Sequence, residues 1–210
     1  MAAVAVIGAS RGIGLGLVQA YVEAGHEVHA TVRDPNAVSA DIRVASNVNL
    51  HVLDVRDAQQ LEALIGALPT LDILIHNAGI SANGVDAQTL HAVNVDAPIR
   101  VVTALLPKLS ADGRIALMSS RMGSRGHSGG KLTPYGESKA ALNDSFRAHV
   151  GAWPGIAVVM HPGWVRTDMG GNSAPLSVVQ SVAGIRGVID GLTNAQHGHF
   201  LNYDGAELPW

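Results

Sequence analysis

Short apolar runs alternate along this chain with longer segments in which apolar residues recur at helical spacing. Apolar runs of roughly four to eight residues are typical of strands that are buried on both faces. The runs predict seven strands, at residues 3–8, 27–32, 48–53, 71–76, 114–119, 156–161 and 199–202. The segments of helical spacing predict helices at residues 13–24, 58–68, 88–109, 134–150 and 177–192, with a bend or break in 88–109 at Pro98 and Pro107.

The regular alternation of strand and helix predicts the fold class. Consecutive parallel strands need crossover helices, and these crossovers are almost always right-handed. The sequence therefore predicts one α/β domain over residues 1–210, with a doubly wound, seven-stranded parallel sheet flanked by helices. The glycine-rich segment 123–130 is expected to be a mobile loop.

Composition narrows the function classes. Hydrophobic residues make up 47% of the 210 positions and charged residues 15%, which indicates a folded domain with a sizeable core. The net charge of −3 and the lack of a basic run favour neither nucleic acid nor a membrane surface as partner. The chain has no cysteine, which excludes disulfides and thiol catalysis. With no signal-peptide pattern and no long apolar span, a cytoplasmic enzyme is expected.

A glycine-rich segment, GASRGIG at residues 8–14, joins the first predicted strand to the first predicted helix. Glycine permits a tight turn and lets the backbone approach a pyrophosphate, while the helix N-terminus presents free N–H groups to the phosphates. An ordinary strand–helix turn is the alternative. The segment predicts a dinucleotide site whose members are Gly8, Ser10, Arg11, Gly12, Ile13 and Gly14.

The end of the second predicted strand bears on the choice of nicotinamide cofactor. NAD-binding proteins place an acid there for the ribose hydroxyls, whereas NADP-binding proteins place a cation for the additional phosphate. Arg33 occupies this position, and Arg11 in the glycine-rich segment is expected to reach the same side. Two guanidinium groups favour NADP(H). NAD(H) is the alternative if Asp34 rather than Arg33 faces the ribose.

Tyr135 and Lys139 carry the candidate acid–base chemistry. Positions i and i+4 share one helix face, so both side chains can point into one cleft. A neighbouring ammonium favours the phenolate, and we expect Lys139 to lower the pKa of Tyr135. Ser119 and Ser120 end the preceding strand, at the edge where open α/β sheets build their sites. A hydroxyl there can hold a substrate oxygen.

These motifs, in this order and at these strand ends, resemble the short-chain dehydrogenase/reductase family of Rossmann-fold enzymes. The resemblance implies catalytic roles for Asn94, Ser120, Tyr135 and Lys139, with Asn94 interrupting a helix and holding a water of the proton relay. Ser119 and Ser124 are the alternatives to Ser120. Two departures are visible: the position before the first glycine is Ile7 instead of the family's threonine, and the spacing from Ser120 to Tyr135 is slightly long.

The resemblance also assigns contacts to the cofactor. Asp54 and Val55 would meet the adenine, and the Asn77-Ala78-Gly79 segment would stabilise the sheet and pass near a ribose. The segment after the sixth strand would bind the nicotinamide carboxamide through Pro162, Gly163, Trp164, Val165 and Thr167. Asp54 could instead cap the following helix, a role for which Asp57 is better placed.

The terminal segment 200–210 resembles the subgroup that contains sniffer-type carbonyl reductases and the bacterial C-factor. The resemblance implies an NADP(H)-dependent oxidoreductase that acts on a small carbonyl or secondary alcohol. The alternatives are an NAD-dependent alcohol dehydrogenase with the same site and a cofactor-binding signalling or regulatory protein. The family likeness implies a homo-oligomer, either a dimer or a tetramer. The ten histidines show no ligand spacing, so no metal is expected.

Overall fold

A computed structural model describes residues 1–38, 42–43, 45–129 and 131–210. Its sheet contains β1 (Ala3–Ile7), β2 (Glu27–Val32), β3 (Val48–Val52), β4 (Leu71–His76), β5 (Leu109–Met118), β6 (Ile156–His161) and β7 (Phe200–Asn202). The strand order is β3-β2-β1-β4-β5-β6-β7, and every neighbouring pair is parallel. The prediction of a doubly wound, seven-stranded parallel sheet is confirmed.

The helices cover both faces of this sheet. They are α1 (Gly12–Glu23), α2 (Ala58–Ala67), α3 (Ala87–His91), α4 (Ala97–Leu105), α5 (Arg125–Ser128), α6 (Pro134–His149) and α7 (Val178–Asp190). One core lies under α1 and α7, where Leu17, Tyr21 and Ile185 are fully buried. The other lies under α2, α4 and α6, where Leu105 and Phe146 are fully buried. Among the described residues, no helix is long and apolar enough to cross a membrane.

The helical stretch after β4 departs from the prediction. A π-helical turn, Ala92–Asp96, separates α3 from α4, so the expected break lies before Pro98. A 3₁₀ turn, Leu106–Lys108, contains Pro107 and ends the helix. The predicted helix end at Leu109 is wrong, because that residue pairs with Leu71 of β4 and begins β5. Sheet pairing thus overrides the local helical pattern.

The segment 123–130 is more ordered than the predicted loop. A 3₁₀ turn, Arg121–Gly123, precedes α5, and the Ser120 and Ser124 hydroxyls cap these two short helices. Gly123 lies against the backbone of α6, where an added Cβ would be 2.6 Å from the carbonyl carbon of Lys139. Gly130 lies outside the described residues. Local capping and close packing therefore replace the expected loop through residue 129.

Candidate active site

A cavity of about 570 Å³ opens at the carboxyl ends of the central strands. Such edges, next to the point where strand order reverses, are where open α/β sheets bind ligands. The predicted site residues that line it are Gly8, Ser10, Arg11, Gly12, Ile13, Arg33, Asp54, Val55, Asn77, Ala78, Gly79, Tyr135, Lys139, Pro162 and Thr167. The fold thus brings residues from six parts of the sequence to one cavity.

The glycine-rich segment has the close approaches that require glycine. Gly8 has a φ of +86°, a conformation that favours glycine. Gly14 lies outside the cavity wall, and an added Cβ there would be 2.1 Å from the Gly8 carbonyl oxygen. Ile7 is buried in the core, and the Thr31 hydroxyl on β2 accepts a hydrogen bond from Gly8 N at 3.0 Å. Thr31, rather than the residue before the first glycine, therefore supplies a hydroxyl contact to this segment.

The segment after β4 is tied to the glycine-rich segment. The backbone N–H groups of Asn77 and Ala78 both donate to the carbonyl of Ile7. The Asn77 side chain donates to the Gly8 carbonyl oxygen at 2.7 Å. These bonds hold two cavity-lining segments together at the ends of neighbouring strands. Gly79 lies close to the active-site amine: an added Cβ would be 3.4 Å from Lys139 Nζ.

Two arginines define the outer end of the cavity. Arg33 lines the wall, whereas the Asp34 carboxylate accepts a hydrogen bond from Asn36 N and caps a 3₁₀ turn. Asp54 is held by the guanidinium of Arg56 through two side-chain hydrogen bonds, which lower its pKa to about 2. Asp57 caps α2, as the sequence suggested. Arg56 also lines the cavity, and the sequence prediction missed it.

The Arg11 side chain forms an ion pair. Its guanidinium pairs with Asp168, which lies in the segment after β6, and both side chains are well exposed. The expectation that Arg11 and Arg33 bind one phosphate together stays a prediction, since Asp168 now engages Arg11. The opposite charge of Asp168 explains this pairing, since a carboxylate within reach attracts the guanidinium. Arg11 remains on the cavity wall.

Tyr135 and Lys139 lie on one face of α6 and share the cavity. Lys139 Nζ is 5.8 Å from the centroid of the Tyr135 ring and donates a hydrogen bond to the Met118 carbonyl oxygen at 3.0 Å. Burial raises the pKa of Tyr135 to about 12 and lowers the pKa of Lys139 to about 8. The expected lowering of the Tyr135 pKa by Lys139 is therefore replaced by a raised pKa, whose cause is the desolvation of the phenol.

Asn94 lies in the π-helical turn and is fully buried. Its side chain donates to the Ile80 carbonyl and to the Ser138 hydroxyl, and it accepts from Ile80 N. The predicted interruption of the helix at Asn94 is therefore present. The side chain itself joins the segment after β4 to α6, close to Lys139.

The three candidate serines differ in their hydrogen bonds. The buried Ser119 hydroxyl donates to Asn143 Oδ1 at 2.7 Å. The Ser120 hydroxyl accepts from Met122 N at 3.1 Å and has no other hydrogen bond within the described chain. Ser124 caps α5. The geometry leaves the Ser120 proton available to a substrate, although Ser119 rather than Ser120 contributes to the cavity wall.

The segment after β6 contributes less than predicted. Pro162 and Thr167 line the cavity, but Gly163, Trp164 and Val165 do not. An added Cβ at Gly163 would meet Leu176, Trp164 is 54% exposed, and Val165 is buried in the core. The wall includes Ser119, the predicted alternative to Ser120. Beyond the predicted residues it also includes Thr31, Val32, Leu53, Arg56, Ile80, Thr89, Val93, Met118, Arg166, Asp168 and Met169. The described ranges contain no group of three His, Cys, Asp or Glu side chains placed to hold a metal.

His76, at the end of β4, makes stability depend on pH. Burial, assisted by the charge of Lys139, lowers its pKa from 6.5 to about 3. Below pH 6.5 His76 is protonated in the unfolded chain but stays neutral in the folded chain. The free energy of unfolding therefore decreases as pH falls from 6.5 toward 3. His76→Asn is expected to reduce the slope of unfolding free energy against pH by roughly 1 kcal/mol per pH unit.

Urea unfolding at several pH values between 4 and 6.5 measures this effect. His149→Asn is the matched control, because His149 is exposed at the end of α6. Identical slopes in His76→Asn and the unaltered protein would show that His76 does not carry the pH dependence.

Comparison with known proteins agrees with this geometry. A family model described as short chain dehydrogenase matches residues 2–176. The chain belongs to the short-chain dehydrogenase family. The glycine-rich segment, the Asn77–Gly79 turn and the Tyr135–Lys139 pair all lie within the matched region, so the predicted family resemblance is confirmed.

Three relatives refine the placement within the short-chain dehydrogenases. C-signal of Myxococcus xanthus is 40% identical over 154 residues, which cover 67% of this chain and 93% of that protein. A carbonyl reductase from Pseudomonas aeruginosa PAO1, solved in complex with NADP, is 35% identical with a TM-score of 0.88 over all of both chains. Carbonyl reductase Sniffer of D. melanogaster is 31% identical with a TM-score of 0.87, also over all of both chains. The predicted similarity to the sniffer and C-factor subgroup is confirmed.

Proposed function

We propose that this protein is an NADP(H)-dependent oxidoreductase that transfers a hydride between the nicotinamide ring and a carbonyl or secondary alcohol carbon. The observation that carries the proposal is the shared cavity of the glycine-rich segment with Tyr135 and Lys139. A dinucleotide bound in this cavity would lie beside the proposed acid–base pair. The carbonyl reductases among the similar structures support the same reaction class.

The residues present fit the cofactor. The Arg11 side chain makes no capping bond, so the first backbone N–H groups of α1 are free to bind a pyrophosphate. Arg33 and Arg56 would face the adenosine end, and Lys139 would hold the nicotinamide ribose. Pro162 and Thr167 would contact the carboxamide end. When bound, the nicotinamide ring supplies or accepts the hydride.

The side chains of this chain would handle the proton. With a pKa near 12, the Tyr135 phenol is protonated at neutral pH and can donate to the carbonyl oxygen. The free Ser120 proton would stabilise the negative charge that develops on that oxygen. The Lys139 ammonium would then stabilise the phenolate. Asn94 would keep the proton relay in place by linking Ile80 to α6.

The cofactor preference follows from the positions of Arg33 and Asp34. Arg33 lines the cavity, while the Asp34 carboxylate caps a 3₁₀ turn, and this arrangement favours a ribose that carries a phosphate.

Arg33→Ser is expected to raise the KM for NADPH by roughly tenfold to a hundredfold, because a charge-assisted hydrogen bond is lost. The KM for NADH, which lacks the phosphate, should stay nearly unchanged and serves as the internal control. A tenfold preference of the unaltered enzyme for NADH would contradict this assignment.

The function is tested by NADPH oxidation, followed by absorbance, against aldehydes, ketones, quinones and diketones, with NADH in parallel. Turnover of at least one carbonyl class with NADPH is the expected result. Turnover confined to alcohol oxidation with NAD would favour the dehydrogenase alternative.

The similarity to C-signal motivates a second candidate, a cofactor-binding regulatory protein. Tight NADPH binding without reduction of any carbonyl would support it. The Asn94, Ser120, Tyr135 and Lys139 set favours the enzyme, since binding alone needs no proton relay. The expected homo-oligomer and the expected cytoplasmic location stay predictions.

A further inference from the structure

One ion pair connects two segments of the cavity wall. The guanidinium of Arg11, in the glycine-rich segment, pairs with the carboxylate of Asp168, in the segment after β6, and both residues line the cavity. A second contact lies in the neighbouring residues, since a Cβ added to Gly12 would be 3.4 Å from Cγ2 of Thr167. The segment after β6 therefore meets the start of α1 at this point.

Arg11 stands where an anionic ligand would bind. It directly precedes the first turn of α1, and its side chain makes no capping hydrogen bond. The free backbone N–H groups of a helix N-terminus bind phosphate groups. A guanidinium at the same place adds a charge-assisted hydrogen bond to a phosphate oxygen. The side chain that Asp168 engages is therefore one that a bound dinucleotide would also attract.

Asp168 differs from the other acid of the cavity wall. Within the described residues that line the cavity, the acids are Asp54 and Asp168. Both oxygens of Asp54 accept hydrogen bonds from Arg56, two positions along the chain. Asp168 pairs instead with Arg11, and its side chain is 75% exposed. Exposed ion pairs are weak because water competes for both charges, so a phosphate can displace the carboxylate from the guanidinium.

The segment that carries Asp168 is closed by hydrogen bonds of its own. The Arg166 guanidinium donates to the Pro175 carbonyl oxygen at 2.9 Å, and Gly170 N donates to the Thr167 hydroxyl at 3.1 Å. Neither bond involves the glycine-rich segment, so breaking the ion pair leaves both in place. Opening of the ion pair therefore needs only side-chain movement.

We propose that Asp168 competes with a phosphate group of the cofactor for Arg11 and thereby lowers the affinity of the protein for the dinucleotide. The proposal rests on the proposed function, which supplies the nicotinamide cofactor. The phosphate concerned is either the pyrophosphate, which NADH and NADPH share, or the additional phosphate, which NADPH alone carries. Weaker cofactor binding speeds the release of the spent cofactor, and product release limits the turnover of many enzymes.

Fluorescence titration with NADPH and with NADH measures the two dissociation constants without any turnover. Asp168→Asn removes the charge and keeps the size of the side chain. It is expected to lower the dissociation constant of NADPH by roughly threefold to fivefold, the worth of an exposed ion pair. A fall for NADPH alone would assign the additional phosphate, and an equal fall for NADH would assign the pyrophosphate. Asp112→Asn is the matched control, because Asp112 is exposed near the start of β5 and lies outside the cavity wall.

A double-mutant cycle separates competition from simple repulsion. If Asp168 acts through Arg11, Asp168→Asn has no effect on the dissociation constant once Arg11→Met is present. An equal gain in both backgrounds would mean that the carboxylate only repels the phosphates. No gain in the unaltered background would mean that Arg11 keeps its partner when the cofactor binds, and either result overturns the competition. Absence of binding to NADPH and to NADH would overturn the proposed function itself.

Discussion

Tyr135→Phe is expected to lower kcat by roughly a hundredfold to ten-thousandfold, the contribution typical of a positioned general acid. The substitution removes one oxygen and leaves the half-buried ring at its position in the first turn of α6. The carbonyl oxygen of the substrate then has no proton donor at a comparable distance. The dissociation constant of NADPH should change little, because the glycine-rich segment, Arg33 and Lys139 are untouched.

Steady-state kinetics measure kcat, and a fluorescence titration with NADPH measures the dissociation constant of the cofactor. Tyr203→Phe is the matched control, since Tyr203 lies outside the cavity wall. Unchanged turnover in Tyr135→Phe would rule out the proposed acid. Equal losses in both variants would point to damage of the fold.

Gly14→Ala is expected to disrupt the glycine-rich segment. The new Cβ would lie 2.1 Å from the Gly8 carbonyl oxygen and 2.5 Å from Asn77 Nδ2, both of which are fixed by strand ends. Overpacking of this kind costs about 1–3 kcal/mol of unfolding free energy. NADPH affinity should fall by at least roughly tenfold, equivalent to about 1.4 kcal/mol, because the segment must shift away from its phosphate-binding conformation.

Gly66→Ala provides the comparison, because nothing lies within 4 Å of an added Cβ there. That change, inside α2, should raise the unfolding free energy by about 0.5–1 kcal/mol, as alanine favours helix over glycine. Urea unfolding and NADPH titration measure both variants. If Gly14→Ala bound NADPH as well as Gly66→Ala does, the close approach of Gly8, Gly14 and Asn77 would not matter for the cofactor.

Local chemistry made much of the site predictable. The Gly8–Gly14 segment, the Asn77–Gly79 turn and the Tyr135–Lys139 pair each depend on residues near one another in sequence, and the fold brings all of them to one cavity. Contacts between residues that are distant in sequence were not predicted. The pairing of Arg11 with Asp168 spans 157 positions, and the Thr31 hydroxyl reaches Gly8 only because β1 and β2 are neighbours.

The sequence by itself determined the fold class, the doubly wound sheet and the candidate acid–base pair, because apolar periodicity and short motifs act locally. Tertiary structure decided which side chains are free to act. Asn143 engages Ser119 and leaves Ser120 available, Asn36 engages Asp34 and leaves Arg33 at the cavity, and burial rather than the ammonium sets the pKa of Tyr135. Hydrogen-bond partners and desolvation depend on packing between distant segments, which periodicity does not encode.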